Sequence, residues 1–233
     1  MVNSWLKNTQ FFCYPPRCVL CGGAGEAALD LCLGCRNELA DIPHPCYQCG
    51  LPLSGLGAQM CGACLKKPPQ FDHVVCGYLY QQPLSALVQE LKFQARLQHA
   101  RVLAQLMLER LVADASARPE VLIPVPLHAS RTRERGFNQA QLLAHLLSQS
   151  LGISVDTKSC QRKQPTQAQS ELNAAQRLVN LRGAFVVTKP LAVSHVALID
   201  DVMTTGSTAN ELARVLTRAG VTRVDVWLAS RAV

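Results

Sequence analysis

The chain has 233 residues, of which 48% are hydrophobic, 17% charged and 5% aromatic. That composition excludes general disorder and suits one domain of average size with a small additional module. No apolar run approaches the roughly 20 residues that a membrane span needs. The polar first dozen residues also lack the apolar core of a secretory signal.

The charge is basic, with a formal net value of +7, and 16 of the 23 basic residues are arginines. Arginine favours bidentate recognition of phosphate or carboxylate groups. The excess therefore permits binding to nucleic acid or to one small phosphorylated ligand, although a solvated basic surface explains it equally well.

Cysteines divide the chain in two, because ten of the eleven lie at or before Cys76. Eight of them form four C-x-x-C pairs separated by 10, 10 and 11 residues. This spacing is typical of zinc knuckles, and the second two pairs repeat the first two. The repeat predicts two structural zinc ions, one held by Cys18, Cys21, Cys32 and Cys35 and the other by Cys46, Cys49, Cys61 and Cys64. Interleaved pairing, disulfides, thiol redox chemistry and an iron–sulfur cluster are the alternatives.

The segment Lys66–Gln70 combines charge with two prolines, which is typical of a boundary between modules. We therefore expect a double zinc ribbon in residues 1–69 and a second domain in residues 70–233. The three cysteines outside the pairs, Cys13, Cys76 and Cys160, are expected to be buried thiols.

The second domain has the periodicity of alternating strands and helices. A strand is predicted first, over Val74–Tyr80, followed by two apolar helical stripes, Leu84–Leu91 and Val102–Leu111. The pattern then alternates between short apolar strands and helices, at Val121–Val125, Gln139–Leu151, Val196–Ile199, Ala209–Ala219 and Val224–Leu228. Such alternation predicts an α/β fold with a parallel sheet flanked by helices.

The most informative segment begins with the strand Val196–Ile199, whose four apolar residues indicate burial on both faces. Asp200 and Asp201 are predicted at its end, where open α/β sheets bind ligands. The turn that follows offers hydroxyls, backbone N–H groups and a glycine, directly before a helix that favours anions at its N-terminus. Thr208 and Glu211 fit a capping box for that helix. A strand, a turn and a capped helix without ligand chemistry is the alternative interpretation.

Two further segments are basic. The strand Val121–Val125 precedes a predicted loop with arginines at alternate positions, Arg131, Arg133 and Arg135, which suits pyrophosphate or another polyanion. Residues 162–170 are polar and without periodicity, so we expect a mobile loop that begins with Arg162 and Lys163.

The stretch LIDDVMTTGSTA resembles the binding motif for phosphoribosyl pyrophosphate (PRPP) in type I phosphoribosyltransferases. Together with CVLCGG, IPVPLHASRTRERGFNQA and RKQPTQAQSELNAAQRLVNLRGAF, it is similar to the ComF family of competence-associated phosphoribosyltransferase-like proteins. The resemblance implies a type I phosphoribosyltransferase fold behind a double zinc ribbon, with Mg²⁺ bound together with PRPP. It also implies that Asp200 and Asp201 hold the ribose hydroxyls. The 5′-phosphate would be wrapped by Met203, Thr204, Thr205, Gly206, Ser207 and Thr208.

The family resemblance also implies a role in DNA uptake or in the use of external DNA. One hypothesis is a transferase in which Arg131, Arg133 and Arg135 meet the pyrophosphate, and Arg162 or Lys163 arrives with the flap. The other is a protein that binds PRPP without turning it over and handles single-stranded DNA, or whose ribbons dock a competence helicase. The resemblance implies a cytoplasmic protein associated with the inner face of the membrane. Dimers are common in this fold, and the oligomeric state, including a homodimer, stays open. The acceptor of the phosphoribosyl group stays open.

Overall fold

The computed structural model describes residues 15–26, 29–55, 57–163 and 183–233. Two short helices lie in the cysteine-rich part, α1 (Leu33–Asn37) and α2 (Gly62–Lys66). The helices that follow are α3 (Leu84–Gln94), α4 (Gln98–Ala113), α5 (Ala129–Arg135), α6 (Gln139–Leu151) and α7 (Ser207–Arg218). The strands are β1 (His73–Cys76), β2 (Val121–Pro124), β3 (Ser154–Val155), β4 (Cys160–Arg162), β5 (Phe185–Val187), β6 (His195–Met203) and β7 (Arg223–Arg231).

Five strands form one parallel sheet in the order β1-β7-β6-β2-β3, whereas β4 and β5 form a separate antiparallel pair. From β2 the chain crosses through α6 to β3 on one side, and from β6 it crosses through α7 to β7 on the other. The winding direction therefore reverses between the neighbours β2 and β6. In open α/β sheets, the crevice at the carboxyl ends of such strands is where ligands bind.

Each face of the sheet is covered by its own apolar cluster. Along β6, Ala197 and Ile199 belong to the cluster that contains α4 and α6, while Val196 and Leu198 belong to the cluster that contains α7. Because successive strand residues point to opposite faces, a strand buried on both sides must be apolar throughout. The predicted fold class, a parallel sheet flanked by helices, is confirmed.

The cysteine-rich part packs directly on the sheet. Leu31 and Leu39 are buried in the same cluster as α4. The Ile42 N–H donates to the Gly77 carbonyl at 2.9 Å, and the Val74 N–H donates to the Tyr47 carbonyl at 3.0 Å. This part of the chain therefore gains an apolar support that its short length cannot supply alone.

Two of the three unpaired cysteines are buried, as predicted. Burial raises the pKa of Cys76 and of Cys160 to about 12, so both thiols are protonated at neutral pH. Cys13 lies outside the described residues.

Three local predictions were wrong. Strand β1 ends at Cys76 rather than at Tyr80, and the predicted arginine-rich loop is largely the helix α5. Helix α7 begins at Ser207, with Gly206 as its N-cap, so Thr208 does not start a capping box. The Glu211 carboxylate instead accepts hydrogen bonds from the Gly183 N–H and from Arg214.

Candidate functional site

The eight paired cysteines form two clusters, each built from two pairs that are adjacent in sequence. One contains Cys18, Cys21, Cys32 and Cys35, and the other contains Cys46, Cys49, Cys61 and Cys64. Within each cluster the four sulfur atoms lie within 4.8 Å of one another. The sequential pairing is thus confirmed, and the interleaved alternative is excluded.

The spacing of the sulfur atoms fits tetrahedral zinc. Cys21 Sγ lies 3.7 Å from Cys32 Sγ, and Cys49 Sγ lies 3.7 Å from Cys61 Sγ. Zinc–sulfur bonds of about 2.3 Å at tetrahedral angles place two sulfur ligands about 3.8 Å apart. Since four thiolates fill the coordination sphere, zinc in these clusters is structural.

The two aspartates occupy strand β6 itself and not its end, which corrects the sequence prediction. β6 continues to Met203, and its register with β7 pairs Asp200 with Leu228 and Met203 with Arg231. On the other side, the pairing with β2 stops where Pro124 meets Ile199. One backbone edge of β6 therefore extends beyond β2 from Asp200 onward, which opens the crevice.

Asp201 is buried and forms an ion pair that sequence reasoning did not anticipate. Its side chain is 3% exposed, and Oδ2 lies 2.5 Å from Nζ of Lys92, near the end of α3. Burial alone would lower the pKa of Lys92, but the charges of Asp201 and Asp200 outweigh it and raise that pKa. Lys92 is therefore protonated at neutral pH and carries a fixed positive charge into the site.

In contrast to Lys92, Asp200 lies in surroundings that disfavour its charged form. Burial, together with the neighbouring Asp201 carboxylate, raises its pKa well above that of an exposed aspartate. Its Oδ1 accepts a hydrogen bond from the Asp201 N–H at 2.9 Å. Asp200 thus sits in a position that disfavours its own charge until a cation or a hydrogen-bond donor arrives.

Asp200 lines a cavity together with every residue of the predicted phosphate-binding segment. The lining includes Met203, Thr204, Thr205, Gly206, Ser207 and Thr208, here called the β6–α7 loop. Gly206 has a φ of +76°, a left-handed conformation that favours glycine. The Thr205 and Ser207 hydroxyls lie 2.7 Å apart, so the hydroxyls of the loop face one another.

The arginines of α5 do not all face the site. A helix turns by about 100° per residue, so Arg131 and Arg135 share one side and Arg133 lies nearly opposite, where it is exposed. Burial lowers the pKa of Arg135, while the Asp201 carboxylate acts in the opposite direction and Arg131 adds to the lowering. Arg135 thus lies within electrostatic reach of Asp201, and Arg131 lies within electrostatic reach of Arg135.

A third arginine comes from β4. Arg162 lies at the end of that strand, with its guanidinium 5.5 Å from the centre of the Phe185 ring on β5. Burial lowers its pKa, the Asp200 carboxylate opposes this, and Arg131 adds to it. Arg162 belongs to a strand rather than to the predicted loop, and Lys163 directly follows that strand. The remainder of the predicted loop, residues 164–170, lies outside the described part of the chain.

Three residues at this crevice were missed by the sequence analysis as functional candidates. They are Lys92, the exposed aromatic Phe93 beside Arg135, and the buried Arg231 beneath the β6–α7 loop. They could not be inferred from the predicted sheet, because the ends of α3 and β7 are distant from the two aspartates of β6 in sequence and come close to them only in the folded chain. The KF dipeptide at 92–93 was the one local signal.

The fold and the two cysteine clusters define a class of protein. In this class a zinc-ribbon module is N-terminal to a parallel α/β domain with a carboxylate-lined crevice. Residues 11–65 match the family described as "Double zinc ribbon domain". Within the described residues, no helix has both the length and the apolarity to cross a bilayer.

Comparison of whole chains identifies the family. Competence protein F of Haemophilus influenzae is 40% identical over 225 residues, which are 93% of this chain and 97% of that protein. The DNA utilization protein YhgH of Salmonella typhi is 39% identical over 205 residues, covering 86% of this chain and 90% of that protein. Competence protein ComFC of Streptococcus pneumoniae is 23% identical over 227 residues, covering 91% and 98%. The chain belongs to the family of competence protein F and the DNA utilization proteins.

Solved structures with partial similarity include glutamine PRPP amidotransferase from B. subtilis, with a TM-score of 0.37, 18% identity and coverage of 56% of this chain and 26% of that chain. Another is the purine phosphoribosyltransferase from Pyrococcus horikoshii, with a TM-score of 0.27, 16% identity and coverage of 69% and 86%.

Proposed function

We propose that this chain binds PRPP with Mg²⁺ at the carboxyl end of β6 and transfers the phosphoribosyl group to a nitrogen acceptor. The observation that carries the proposal is the cavity in which Asp200 and the complete β6–α7 loop come together. We assign this activity to the use of external DNA, because relatives that match most of the chain are named competence and DNA utilization proteins.

The β6–α7 loop suits the 5′-phosphate. Helix α7 has Gly206 as its N-cap, and the N–H of its first residue, Ser207, donates to Thr205 Oγ1 at 3.3 Å. The first turn of a helix directs its N–H groups and its positive dipole end toward this position, which favours a phosphate. The hydroxyls of Thr205 and Ser207 are hydrogen-bonded to each other at 2.7 Å, so that one of the two keeps its hydrogen to donate to a phosphate oxygen at the same place.

Asp200 suits the ribose hydroxyls, because it lines the cavity and carries a carboxylate whose charge is disfavoured without a partner. Asp201 lies on the other face of β6 and, through its ion pair, holds Lys92 at the crevice. Both aspartates thus remain in the site, but Asp200 is the one with access to the cavity. Mg²⁺ prefers such oxygen ligands together with phosphate oxygens, and when bound it neutralises charge on the pyrophosphate.

The cations around the crevice suit the leaving group. Lys92, Arg135 and Arg162 come from three different elements, and each interacts electrostatically with one of the two aspartates. Arg131 lies within electrostatic reach of Arg135 and Arg162. In the transfer, the bond between the anomeric carbon and the pyrophosphate oxygen breaks, and a bond from that carbon to the acceptor nitrogen forms. Pyrophosphate leaves with the bonding electron pair, and the acceptor nitrogen releases its proton to water. Fixed cations lower the barrier by stabilising the departing negative charge.

Phe93 provides a surface for a flat acceptor. The residue is 74% exposed, and the centre of its ring lies 5.6 Å from the Arg135 guanidinium carbon. An exposed aromatic ring beside the reaction site favours a heterocyclic base as the acceptor. Stacking buries one face of the ring and one face of the base at low entropic cost.

Calorimetry with Mg²⁺ and PRPP tests the binding step. We expect the wild-type protein to bind, and Asp200→Ala combined with Asp201→Ala to abolish binding while the far-ultraviolet circular dichroism is preserved. The matched control is Asp30→Asn, which changes an aspartate of the cysteine-rich part outside the cavity. Equal affinities in the wild type and the double variant would overturn the site.

Pyrophosphate release tests the transfer step. With PRPP bound, ammonia and individual free bases are added in turn, and release in the presence of one of them identifies the acceptor. Tight binding without release from any acceptor would reject the transferase and support a PRPP-binding protein that does not turn PRPP over.

A second candidate, direct binding of single-stranded DNA, is favoured by the exposed Phe93 ring next to the basic helix α5. Bases stack on exposed aromatic rings and phosphates pair with nearby arginines. We expect Phe93→Ala and Arg133→Ala each to weaken binding to an oligonucleotide at low salt. Unchanged affinity in both variants would remove this surface from DNA binding.

A further inference from the structure

Arg231, the last residue of β7, connects the second cysteine cluster to the β6–α7 loop. Its side chain is buried, with the residue 4% exposed. The Nε–H donates to the carbonyl of Cys49 at 2.9 Å, and Nη1 donates to the carbonyl of Met203 at 2.9 Å. Nη1 also contacts the carbonyl of Thr204. One guanidinium thus bonds a metal-ligating residue on one side and the first two residues of the loop on the other.

The backbone of Arg231 is held in place independently of these contacts. Its N–H donates to the Tyr78 carbonyl, and its carbonyl accepts from the Tyr80 N–H at 2.8 Å. On the opposite edge, Arg231 pairs with Met203 in the register of β6 and β7. The guanidinium therefore projects from a fixed sheet position, and its rigid fork of donors sets the separation between Cys49 and the loop.

The charge of Arg231 fits a zinc-loaded second cluster. A zinc ion with four thiolates carries a net double negative charge, and Arg231 lies within electrostatic reach of Cys49, Cys61 and Cys64. A buried guanidinium needs such compensation, since an uncompensated buried charge is costly. Loss of zinc would remove the ordered Cys49 knuckle and leave Arg231 free to withdraw from the loop.

We propose that Arg231 is a positioning residue that couples zinc occupancy of the second cluster to ligand binding at the β6–α7 loop. The ligand in this statement is PRPP, so this part rests on the proposed function. Coupling between two sites is reciprocal in free energy. Zinc in the second cluster therefore strengthens PRPP binding, and bound PRPP slows release of that zinc, whereas the first cluster is unaffected.

The test uses the full chain loaded with zinc and follows zinc release to a chelator with and without Mg²⁺ and PRPP. Allosteric couplings commonly correspond to about 5-fold to 150-fold, so we expect PRPP to slow release of one of the two zinc ions at least about fivefold. The variant Cys61→Ser, which disables the second cluster, shows which of the two ions responds to PRPP. The zinc that this variant retains lies in the first cluster, and its release should be the same with and without PRPP.

Substitution of the arginine separates coupling from general stability. Arg231→Lys keeps the charge but loses the fork, and it should weaken PRPP binding about tenfold and remove the effect of PRPP on zinc release. Arg223→Lys is the matched control, because Arg223 lies on the same strand, bonds Asp225 at the other end and likewise keeps its charge when replaced by lysine. PRPP affinity and zinc release that match the wild type in Arg231→Lys would overturn the proposal.

Hydrogen exchange tests the link without PRPP. When zinc is withdrawn from the second cluster through Cys61→Ser, amides of residues 203–208 should lose protection, as they should in Arg231→Lys. If the wild type binds no PRPP, the proposed function fails, yet this exchange still decides whether the cluster orders the loop. Unchanged protection in both variants would overturn the link.

Discussion

The ammonium of Lys92 lies 2.5 Å from Oδ2 of Asp201, so a helix that precedes β2 supplies the counter-ion for a carboxylate inside β6. The Asp201 side chain is 3% exposed and that of Lys92 is 21% exposed, which makes the pair largely inaccessible to solvent. Removal of one partner from such a pair leaves an uncompensated buried charge, which costs far more than the intact pair contributes.

Lys92→Met is therefore expected to lower the free energy of unfolding by about 2 to 4 kcal/mol. Urea denaturation at pH 7 measures this loss. The double variant Lys92→Met with Asp201→Asn removes both charges and should recover most of the stability. If the losses of the two single variants simply add in the double variant, the ion pair does not account for the effect.

Asp200→Asn should stabilise the free protein while it weakens PRPP binding. The pKa of Asp200 is raised by burial and by Asp201, so the folded state retains a proton that the unfolded state releases. Stability is therefore lost as pH rises from the ordinary aspartate pKa through the raised one. Asparagine does not titrate, and at pH 7 we expect a gain of about 1 kcal/mol, or roughly 2 to 4 °C in Tm.

Thermal unfolding as a function of pH provides the check. The difference between Asp200→Asn and the wild type should shrink as the pH falls and disappear well below the ordinary aspartate pKa of about 3.9, where the carboxyl is protonated in both the folded and the unfolded state. A variant that is less stable than the wild type at pH 7 would contradict the raised pKa.

Zinc binding should be separable between the two clusters. The sulfur atoms of each cluster are grouped within 4.8 Å and come from consecutive pairs, so each ion has its own complete ligand set. Metal analysis of the wild type should give close to two zinc per chain, and Cys32→Ser should give close to one. If Cys32→Ser lost both ions, the two sites would depend on each other, contrary to the separate ligand sets.

Features that depend on the order of neighbouring residues could be predicted from the sequence. Features that depend on contacts between residues far apart in the chain could not. The zinc ligands follow from C-x-x-C spacing, and β6 follows from an apolar run that only a doubly covered strand needs. By contrast, the alternating arginines of α5 were predicted as a loop, because Arg131, Arg133 and Arg135 carry no apolar stripe. An exposed helix with few core contacts has no hydrophobic periodicity to detect.

The residues that contact or approach the two aspartates could not be predicted from the sequence either. Lys92 and Arg231 reach the site from α3 and β7, and only the packing of these elements around β6 brings them there. The end of β6 was misplaced because Asp200 and Asp201 are polar, and carboxylates usually mark the end of a buried strand. Here Lys92 compensates Asp201 and allows the strand to continue.

The helical geometry of α5 predicts unequal roles for its arginines. Arg135 lies within electrostatic reach of Asp201, whereas Arg133 is exposed on the other side of the helix. Arg135→Ala should weaken pyrophosphate binding about tenfold, since charge-assisted hydrogen bonds contribute roughly 1.5 to 3 kcal/mol each. Arg133→Ala is the matched control, two residues away, and should bind like the wild type. Calorimetry with pyrophosphate and Mg²⁺ distinguishes the two, and equal losses would show that α5 acts only through its overall charge.

Glu211 should make the region around β5 sensitive to acid. Its carboxylate accepts hydrogen bonds from Arg214 at 2.6 and 2.8 Å and from the Gly183 N–H at 2.8 Å. The Arg214 guanidinium, followed by the Gly183 N–H, lowers the pKa of Glu211. A lowered pKa in the folded state means that the stabilisation is present above the ordinary glutamate pKa, near 4.5.

The stabilisation by Glu211 should be lost as pH falls below that value, because the carboxyl then gains a proton in the folded state as well. We expect Glu211→Gln to lower the free energy of unfolding by about 1 to 2 kcal/mol at pH 7, and the difference from the wild type to shrink as the pH falls below 4.5. Asp30→Asn, in the cysteine-rich part, serves as the control for a charge change alone. A difference that stays constant from pH 7 to pH 3 would mean that Glu211 acts through its shape rather than through its charge.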